Sequence, residues 1–186
     1  MTVSPLLRAP WQNRLPAVCM ALTTVGSKQA GASTAIVSEP VGEKRDMAIK
    51  AGADIVIDPL HENVQGLLEQ HHIIRINTVI ECVGLKTTML DAVKYAGKNS
   101  VAMLFGLGNP NDEIPVKPFE LFKKEVSIKA SFINPYTQSR ALEILKSGRL
   151  DIKSLISHEI ALEELAGVLS NPEKRKFGKV IVNPFK

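Results

Sequence analysis

The chain of 186 residues contains little cysteine, only Cys19 and Cys82. Two isolated cysteines can form neither a disulfide scaffold nor a zinc site, and this usage predicts a reducing compartment such as the cytoplasm. No apolar run approaches the roughly 18 residues that span a bilayer, so we expect no membrane segment. The first twenty residues contain prolines at positions 5, 10 and 16 and do not resemble a secretory signal.

An excess of charge of one sign is also lacking. The 23 basic and 19 acidic residues give a formal charge of +4, and the longest basic cluster, residues 174–176, is short. A basic cluster this short is more often a solvated patch of surface than a nucleic-acid-binding site. We therefore expect no nucleic-acid partner. The length predicts about one domain, and the 45% of apolar residues is sufficient for a core.

From residue 35 onward, β-branched runs alternate with helical stretches, which is typical of parallel strands joined by crossover helices. Strands are predicted at residues 35–38, 55–57, 78–83, 100–105, 126–130, 155–160 and 179–182. Helices are predicted at residues 43–50, 61–70, 86–96, 119–124, 137–147 and 163–170. The pattern therefore predicts an α/β fold with a doubly wound parallel sheet.

Two details refine these helices. Gly52 and Gly148 follow the helices at 43–50 and 137–147, where glycine suits a left-handed C-cap. The apolar side chains of the helix at 137–147 are expected to face the core: Ala141, Leu142, Ile144 and Leu145.

The strand at 35–38 ends at an acid, Glu39. A carboxylate at the end of the second strand of a nucleotide-binding sheet holds the two hydroxyls of an adenosine ribose; an ordinary strand-end acid before a turn is the alternative. The same fingerprint puts a Gly-x-Gly-x-x-Gly turn about 20 residues upstream. Residues 15–20 contain no glycine, and Ala17 and Met20 stand where the second and third glycines belong.

The segment before the expected glycine turn, Met1–Arg14, does not have the pattern of a buried first strand, because it contains prolines and arginines. The first strand is central in a doubly wound sheet, so its loss leaves two neighbours unpaired. Either Ala17–Val25 is recruited as a substitute strand or the sheet has a gap. Our hypothesis is that residues 1–20 arise from a shifted reading frame, a misplaced start or a gene rearrangement.

Six segments occur in a recognisable order: Ile36–Pro40, Ala51–Asp54, Val79–Gly84, Phe105–Gly108, Ile128–Phe132 and Gly178–Val182. Because of these six segments and their order, residues 34–183 resemble the C-terminal half of zinc-dependent medium-chain dehydrogenases. This family includes the alcohol, sorbitol, butanediol and threonine dehydrogenases. Such enzymes pass a hydride from a secondary alcohol to a nicotinamide cofactor while zinc polarises the alcohol oxygen. The resemblance implies a non-matching segment at 1–20, an incomplete Rossmann-like NAD-binding domain at 21–150, and a segment at 151–186 that packs on a catalytic domain.

The resemblance also implies roles for individual residues. Glu39 would accept both ribose hydroxyls and repel a 2′-phosphate, so the implied cofactor is NAD rather than NADP. Lys44 resembles the lysine that reaches the same ribose; a solvated charge on an exposed helix face is the alternative. The residues implied to line the nicotinamide are Val83, Gly84, Gly106, Leu107, Gly108, Ser131 and Phe132. Tight βα turns are the alternative explanation for the glycines.

The zinc ligands of the resembled enzymes lie in an N-terminal domain that these 186 residues do not include, so no catalytic or metal-binding residue is implied here. Two hypotheses stay open. The chain is either the cofactor-binding part of an NAD-linked alcohol or polyol dehydrogenase, inactive alone, or a truncated or decayed derivative that binds nucleotide weakly or not at all. A regulatory nucleotide-binding module is a third class, but it is expected to keep its glycine turn.

Other chemistry-bearing residues receive structural interpretations. Glu81 and Cys82 belong to a buried strand in the family pattern, and the four histidines are interpreted as surface or loop residues: His61, His71, His72 and His158. The resemblance makes a homodimer plausible through the last sheet strand, residues 126–130, and the loop at 109–118. Apolar residues of the tail are expected to be partly exposed: Ile156, Ile160, Val180 and Val182.

Overall fold

The computed structural model describes residues 17–132, 136–148, 153–171 and 179–186. The helices are α1 (Ala17–Gln29), α2 (Gly42–Lys50), α3 (Val64–Gln70), α4 (Lys86–Tyr95), α5 (Pro118–Lys124), α6 (Gln138–Lys146) and α7 (Leu165–Ser170). The strands are β1 (Ile36–Ser38), β2 (Ile55–Ile57), β3 (Thr78–Glu81), β4 (Val101–Leu104), β5 (Ser127–Ala130), β6 (Ile156–Ile160) and β7 (Lys179–Val182). Their order confirms the predicted α/β alternation.

The chain divides into two compact units. The first, called here the β1–β2 unit, comes from the ranges 1–62 and 139–186, and the second, the β3–β5 unit, comes from 63–138. In the β1–β2 unit, β1 and β2 pair in parallel, with Ile36 opposite Ile55. Burying apolar side chains supplies most of the folding free energy, and the buried apolar residues of this sheet and its helices include Ala35, Val37, Ala48 and Ile57.

The C-terminal part of the β1–β2 unit contains β6 and β7, which also pair in parallel. Leu155, Ile160 and Val168 are buried there, and Leu155 packs against Ala51. The expected exposure of Ile160 was therefore wrong. Ile156 is exposed, and Val180 and Val182 are half-buried, so these three residues are partly exposed as predicted.

The β3–β5 unit contains a three-stranded parallel sheet in the order β3-β4-β5. Its buried apolar residues are small or aliphatic: Leu68, Ala92, Ala96 and Ala102. Helix α3 begins at Val64 rather than at residue 61, because the Asn63 side chain accepts a hydrogen bond from the Gly66 N–H at 3.2 Å and caps the helix.

The region that could have supplied a substitute strand is helical. Helix α1 covers residues 17–25, so the proposed recruitment of Ala17–Val25 into the sheet was wrong. In the part of the chain that the structure describes, β1–β2 and β3–β4–β5 form separate sheets, and no strand is hydrogen-bonded to both.

Helix α6 differs from its predicted environment. Its apolar residues are exposed rather than inward-facing, with 46% of Leu142 and of Ile144 accessible, and Ala141 and Leu145 are exposed as well. An amphipathic helix buries its apolar face only when another element covers it, and the described residues provide no such cover. Gly52 (φ +93°) and Gly148 (φ +67°) adopt the predicted left-handed conformation.

No helix in the described ranges has both the length and the apolar character that crossing a bilayer requires.

Candidate functional site

The three strands of the β3–β5 unit end level with one another. Glu81 pairs with Leu104, and Leu104 pairs with Ala130, so the last residues of β3, β4 and β5 form one row. The segments that follow therefore leave the sheet at one edge, the carboxyl edge, where open α/β folds bind ligands. This edge brings together the predicted residues Val83, Gly84, Gly106, Leu107, Gly108, Ser131 and Phe132.

The turns after β3 and β4 approach each other backbone to backbone. Gly84 has φ +86°, and a Cβ at this position would lie 2.6 Å from the carbonyl carbon of Leu107. A Cβ at Gly106 would lie 2.7 Å from the Val83 nitrogen. Neither position has room for a side chain. The tight-turn explanation thus holds for both glycines, because the absence of a side chain makes room for the neighbouring turn.

Glu81 organises this edge, a role that the sequence interpretation missed. Its Oε1 accepts hydrogen bonds from the Val83 N–H at 2.6 Å, the Gly84 N–H at 2.8 Å and the Thr88 hydroxyl at 2.8 Å. The side chain is buried, with 4% of the residue exposed, and Oε2 accepts no hydrogen bond from any described residue. An acid inside an otherwise apolar strand was the available signal, because buried carboxylates need partners.

The other predicted residues at this edge differ in accessibility. Leu107 and Phe132 are 85% and 76% exposed, Gly108 is half-buried, and the Ser131 N–H donates to the Leu104 carbonyl at 3.3 Å. Large apolar side chains exposed beside glycine turns favour contact with an apolar partner or ring. The carboxyl edge therefore carries exposed apolar contact area beside two tightly packed glycine turns.

Glu39 lies at the carboxyl end of β1, in the β1–β2 unit. Its N–H donates to the Ile57 carbonyl at 3.0 Å and extends the pairing of the two strands. The Glu39 Oε1 accepts the Val41 N–H at 2.9 Å. Each carboxylate oxygen has two lone pairs, so the half-buried carboxylate keeps acceptor capacity for a hydroxyl ligand.

Cationic side chains of α2 lie beside this acid. Lys44 is buried, with 7% exposed, so its interpretation as a solvated charge was wrong. The Arg45 Nη1 donates to the Glu39 carbonyl at 2.8 Å and lies 3.0 Å from Asp58 Oδ2. No sequence motif predicted the Arg45–Asp58 pair, because it depends on the spatial approach of α2 and the end of β2.

Asp58 has further partners. Its Oδ2 lies 3.0 Å from the His61 Nδ1, and its Oδ1 accepts the Leu60 N–H at 3.0 Å. The hydrogen bond with His61 is the largest effect on the pKa of Asp58 and lowers it. Burial, the second largest, opposes this, while the Leu60 N–H and the charge of Arg45 lower the pKa further. Asp58 is therefore ionised and pairs with Arg45 as a carboxylate.

All four histidines are exposed, as their interpretation as surface or loop residues predicted. Cys82 follows β3 rather than lying in it and is half-buried, so its placement in a buried strand was wrong. In the ranges that the structure describes, no group of three or more His, Cys, Asp or Glu side chains could hold a metal ion.

Each unit offers its own match to a nucleotide site. In the β1–β2 unit, the acid at the end of β1 suits the hydroxyls of a ribose. In the β3–β5 unit, the glycine turns after β3 and β4 lie at the carboxyl edge, where such folds bind ligands. The phosphate turn fits less well, because positions 17–20 belong to helix α1 and the residues before them lie outside the described ranges. Parallel strands with these features at their carboxyl ends define a Rossmann-type nucleotide-binding domain.

A sequence profile for the family described as zinc-binding dehydrogenase matches residues 21–147. The chain belongs to this zinc-dependent medium-chain dehydrogenase family and corresponds to its C-terminal half.

Curated relatives agree with this assignment. The chain is 24% identical over 161 residues to D-arabinitol dehydrogenase 1 of Uromyces fabae, covering 84% of this chain and 46% of that protein. It is 28% identical over 166 residues to L-threonine 3-dehydrogenase of Caldanaerobacter subterraneus, again covering 84% of this chain and 46% of the relative. The chain thus spans about half the length of the curated relatives that it matches.

Solved structures support the fold. A protein from Sinorhizobium meliloti described as a zinc-binding dehydrogenase, with NADP bound, superposes with a TM-score of 0.83 at 28% identity and covers 91% of this chain and 50% of that one. An alcohol dehydrogenase from Escherichia coli in complex with NADH gives a TM-score of 0.80, covers 91% of this chain and 50% of that one, and at 19% identity supports the fold alone.

Proposed function

We propose that this chain is the cofactor-binding part of an NAD-linked alcohol or polyol dehydrogenase and does not turn over substrate alone. The observation that carries the proposal is the tight packing of the turns at the carboxyl edge of the β3–β5 unit. At Gly84 and Gly106 the neighbouring backbone leaves no room for a Cβ atom. Dehydrogenases of this class transfer a hydride from the carbinol carbon to the nicotinamide ring. The domain division at residues 1–20, 21–150 and 151–186 and the cytoplasmic location remain predictions.

In this proposal each end of the cofactor has its own residues. Glu39, whose Oε1 also accepts the Val41 N–H, accepts the ribose hydroxyls, and Lys44 of α2 reaches the same ribose. The segments Val83–Gly84, Gly106–Gly108 and Ser131–Phe132 line the nicotinamide. Zinc would supply Lewis-acid polarisation of the alcohol oxygen, and we assign none of its ligands to the described residues of this chain.

A reconstitution experiment tests the proposal. The chain is assayed alone and after fusion to the N-terminal half of the 28%-identical threonine dehydrogenase, with secondary alcohols, polyols, NAD and zinc. We expect zinc-dependent NADH formation from the fusion and none from the chain alone. NADH formation by the isolated chain, or none by a folded fusion that binds both zinc and NAD, would contradict the proposal.

A non-catalytic derivative is the second candidate function, and a specific observation favours it. Helix α1 occupies the positions of the last two turn glycines, Ala17 and Met20, and the two sheets are separate in the described residues. Backbone amides at a helix N-terminus supply much of the anion binding in such folds. If folded protein shows no saturable NAD binding, this candidate replaces the first.

We also propose a homodimer formed through β5. This strand lies at the edge of its sheet and all four of its residues are exposed. Edge strands present unpaired backbone groups that can pair with a second copy.

A further inference from the structure

We propose that Asp58 is a specificity-determining residue that holds Arg45 in an ion pair and thereby prevents it from receiving the 2′-phosphate of NADP. The inference rests on the proposed function, because it concerns the ribose site at Glu39. It identifies a second obstacle to NADP, separate from the charge of Glu39 itself.

Discrimination between NAD and NADP depends on one phosphate on the adenosine ribose. An acid at the end of the second strand disfavours that phosphate, whereas a nearby arginine accommodates it. Both residue types are present here. The Arg45 Nη1 lies 2.8 Å from the backbone carbonyl oxygen of Glu39, so the guanidinium lies against the backbone at the end of β1.

The guanidinium is engaged in two ways. It donates to the Glu39 carbonyl and is paired with Asp58 Oδ2 at 3.0 Å. The Asp58 side chain is 14% exposed and that of Arg45 24% exposed, so solvent screens this pair less than an open surface pair. Both contacts use Nη1. A 2′-phosphate on this guanidinium would therefore compete with the Asp58 carboxylate for the same cation, in addition to the charge of Glu39.

The position of Asp58 is fixed independently of Arg45. Asp58 immediately follows β2, its Oδ1 accepts the Leu60 N–H at 3.0 Å, and its Oδ2 also contacts His61. Because these contacts orient the carboxylate, replacing it with the isosteric amide of asparagine preserves the turn and removes the charge.

The test measures dissociation constants for NAD and NADP with the full chain and with Asp58→Asn. We expect Asp58→Asn to bind NADP about tenfold more tightly, the size of one charge-assisted hydrogen bond, and to bind NAD within about twofold of the unaltered chain. The double variant Asp58→Asn with Arg45→Gln should lose the gain, since the released guanidinium is its cause.

His61→Ala is the matched control. It removes the other side-chain partner of Asp58 and leaves the Arg45 pair intact, so the ratio of the two dissociation constants should stay at its original value. A folded Asp58→Asn variant that binds NAD but shows no gain for NADP overturns this inference alone. If neither the unaltered chain nor the variant binds either dinucleotide, the proposed cofactor binding fails as well.

Discussion

The carboxylate of Glu81 accepts the Gly84 N–H at 2.8 Å and fixes the turn in which Gly84 adopts φ +86°. The same oxygen accepts the Val83 N–H and the Thr88 hydroxyl. One buried side chain therefore sets the path of the chain between β3 and α4, where the nicotinamide is proposed to bind. Rigid placement of backbone at a site is the general requirement for such binding.

Glu81→Gln should reduce the free energy of unfolding by about 1–3 kcal/mol, because it weakens charge-assisted hydrogen bonds to buried donors. Urea unfolding followed by circular dichroism measures the change. Glu113→Gln is the matched control in the same unit, since Glu113 is exposed; its effect should lie within about 0.5 kcal/mol. Equal stability of the two variants would show that the Glu81 hydrogen bonds do not hold this turn.

Gly84→Ala should lower the free energy of unfolding by about 2–4 kcal/mol, because it combines left-handed backbone with a collision against Leu107. Gly148→Ala separates the two effects. Gly148 has φ +67° and no atom within 4 Å of a built Cβ, so only the backbone cost of about 1–2 kcal/mol remains. Similar losses in the two variants, measured by urea unfolding, would mean that the turns after β3 and β4 are not tightly packed.

The stability of the chain should fall in acid, partly through Asp54. Its pKa is lowered first by the Ala35 N–H, which donates to Oδ2 at 2.6 Å, and next by Lys28, whose Nζ lies 2.9 Å away. Because the folded-state pKa is the lower one, the stabilisation is complete above pH about 4 and is lost as the pH falls through the folded-state value.

Asp54→Asn should therefore flatten the dependence of the unfolding free energy on pH below about 4. Asp58, whose pKa is lowered as well, retains its own contribution in that variant. An unchanged slope in Asp54→Asn, measured by urea unfolding at several pH values, would contradict the assignment.

Ile128→Pro should prevent the proposed pairing of β5 with a second copy. The Ser127 and Ser131 N–H groups donate to β4, at 2.9 Å and 3.3 Å. Neighbouring residues of a strand present their backbone groups to opposite sides, so the N–H of Ile128 points away from β4. Proline there removes an outward donor and spares the internal sheet.

Light scattering after size-exclusion chromatography should give a dimer for the unaltered chain and a monomer for Ile128→Pro. Circular dichroism verifies that the variant keeps its helices and strands. A variant that remains dimeric would show that β5 is not the contact between copies.

The sequence predicted most elements, because several strands are short apolar runs rich in Val and Ile, and the Gly52 and Gly148 caps mark two helix ends. It also placed Glu39 at the end of β1. It did not predict the Arg45–Asp58 pair or the role of Glu81, since both depend on which strand ends meet in space. The inward orientation of Leu142 was wrong for a related reason: amphipathic spacing identifies a face but not what covers it.

An amide-resolved nuclear magnetic resonance titration of the labelled chain with NAD tests the central claim most directly. The account predicts saturable shifts of the Gly84, Gly106 and Leu107 amides, in the turns after β3 and β4. It also predicts a saturable shift of the Val41 amide, which donates to Glu39 after β1. The absence of shifts in folded protein, or shifts confined to residues away from these strand ends, would contradict it.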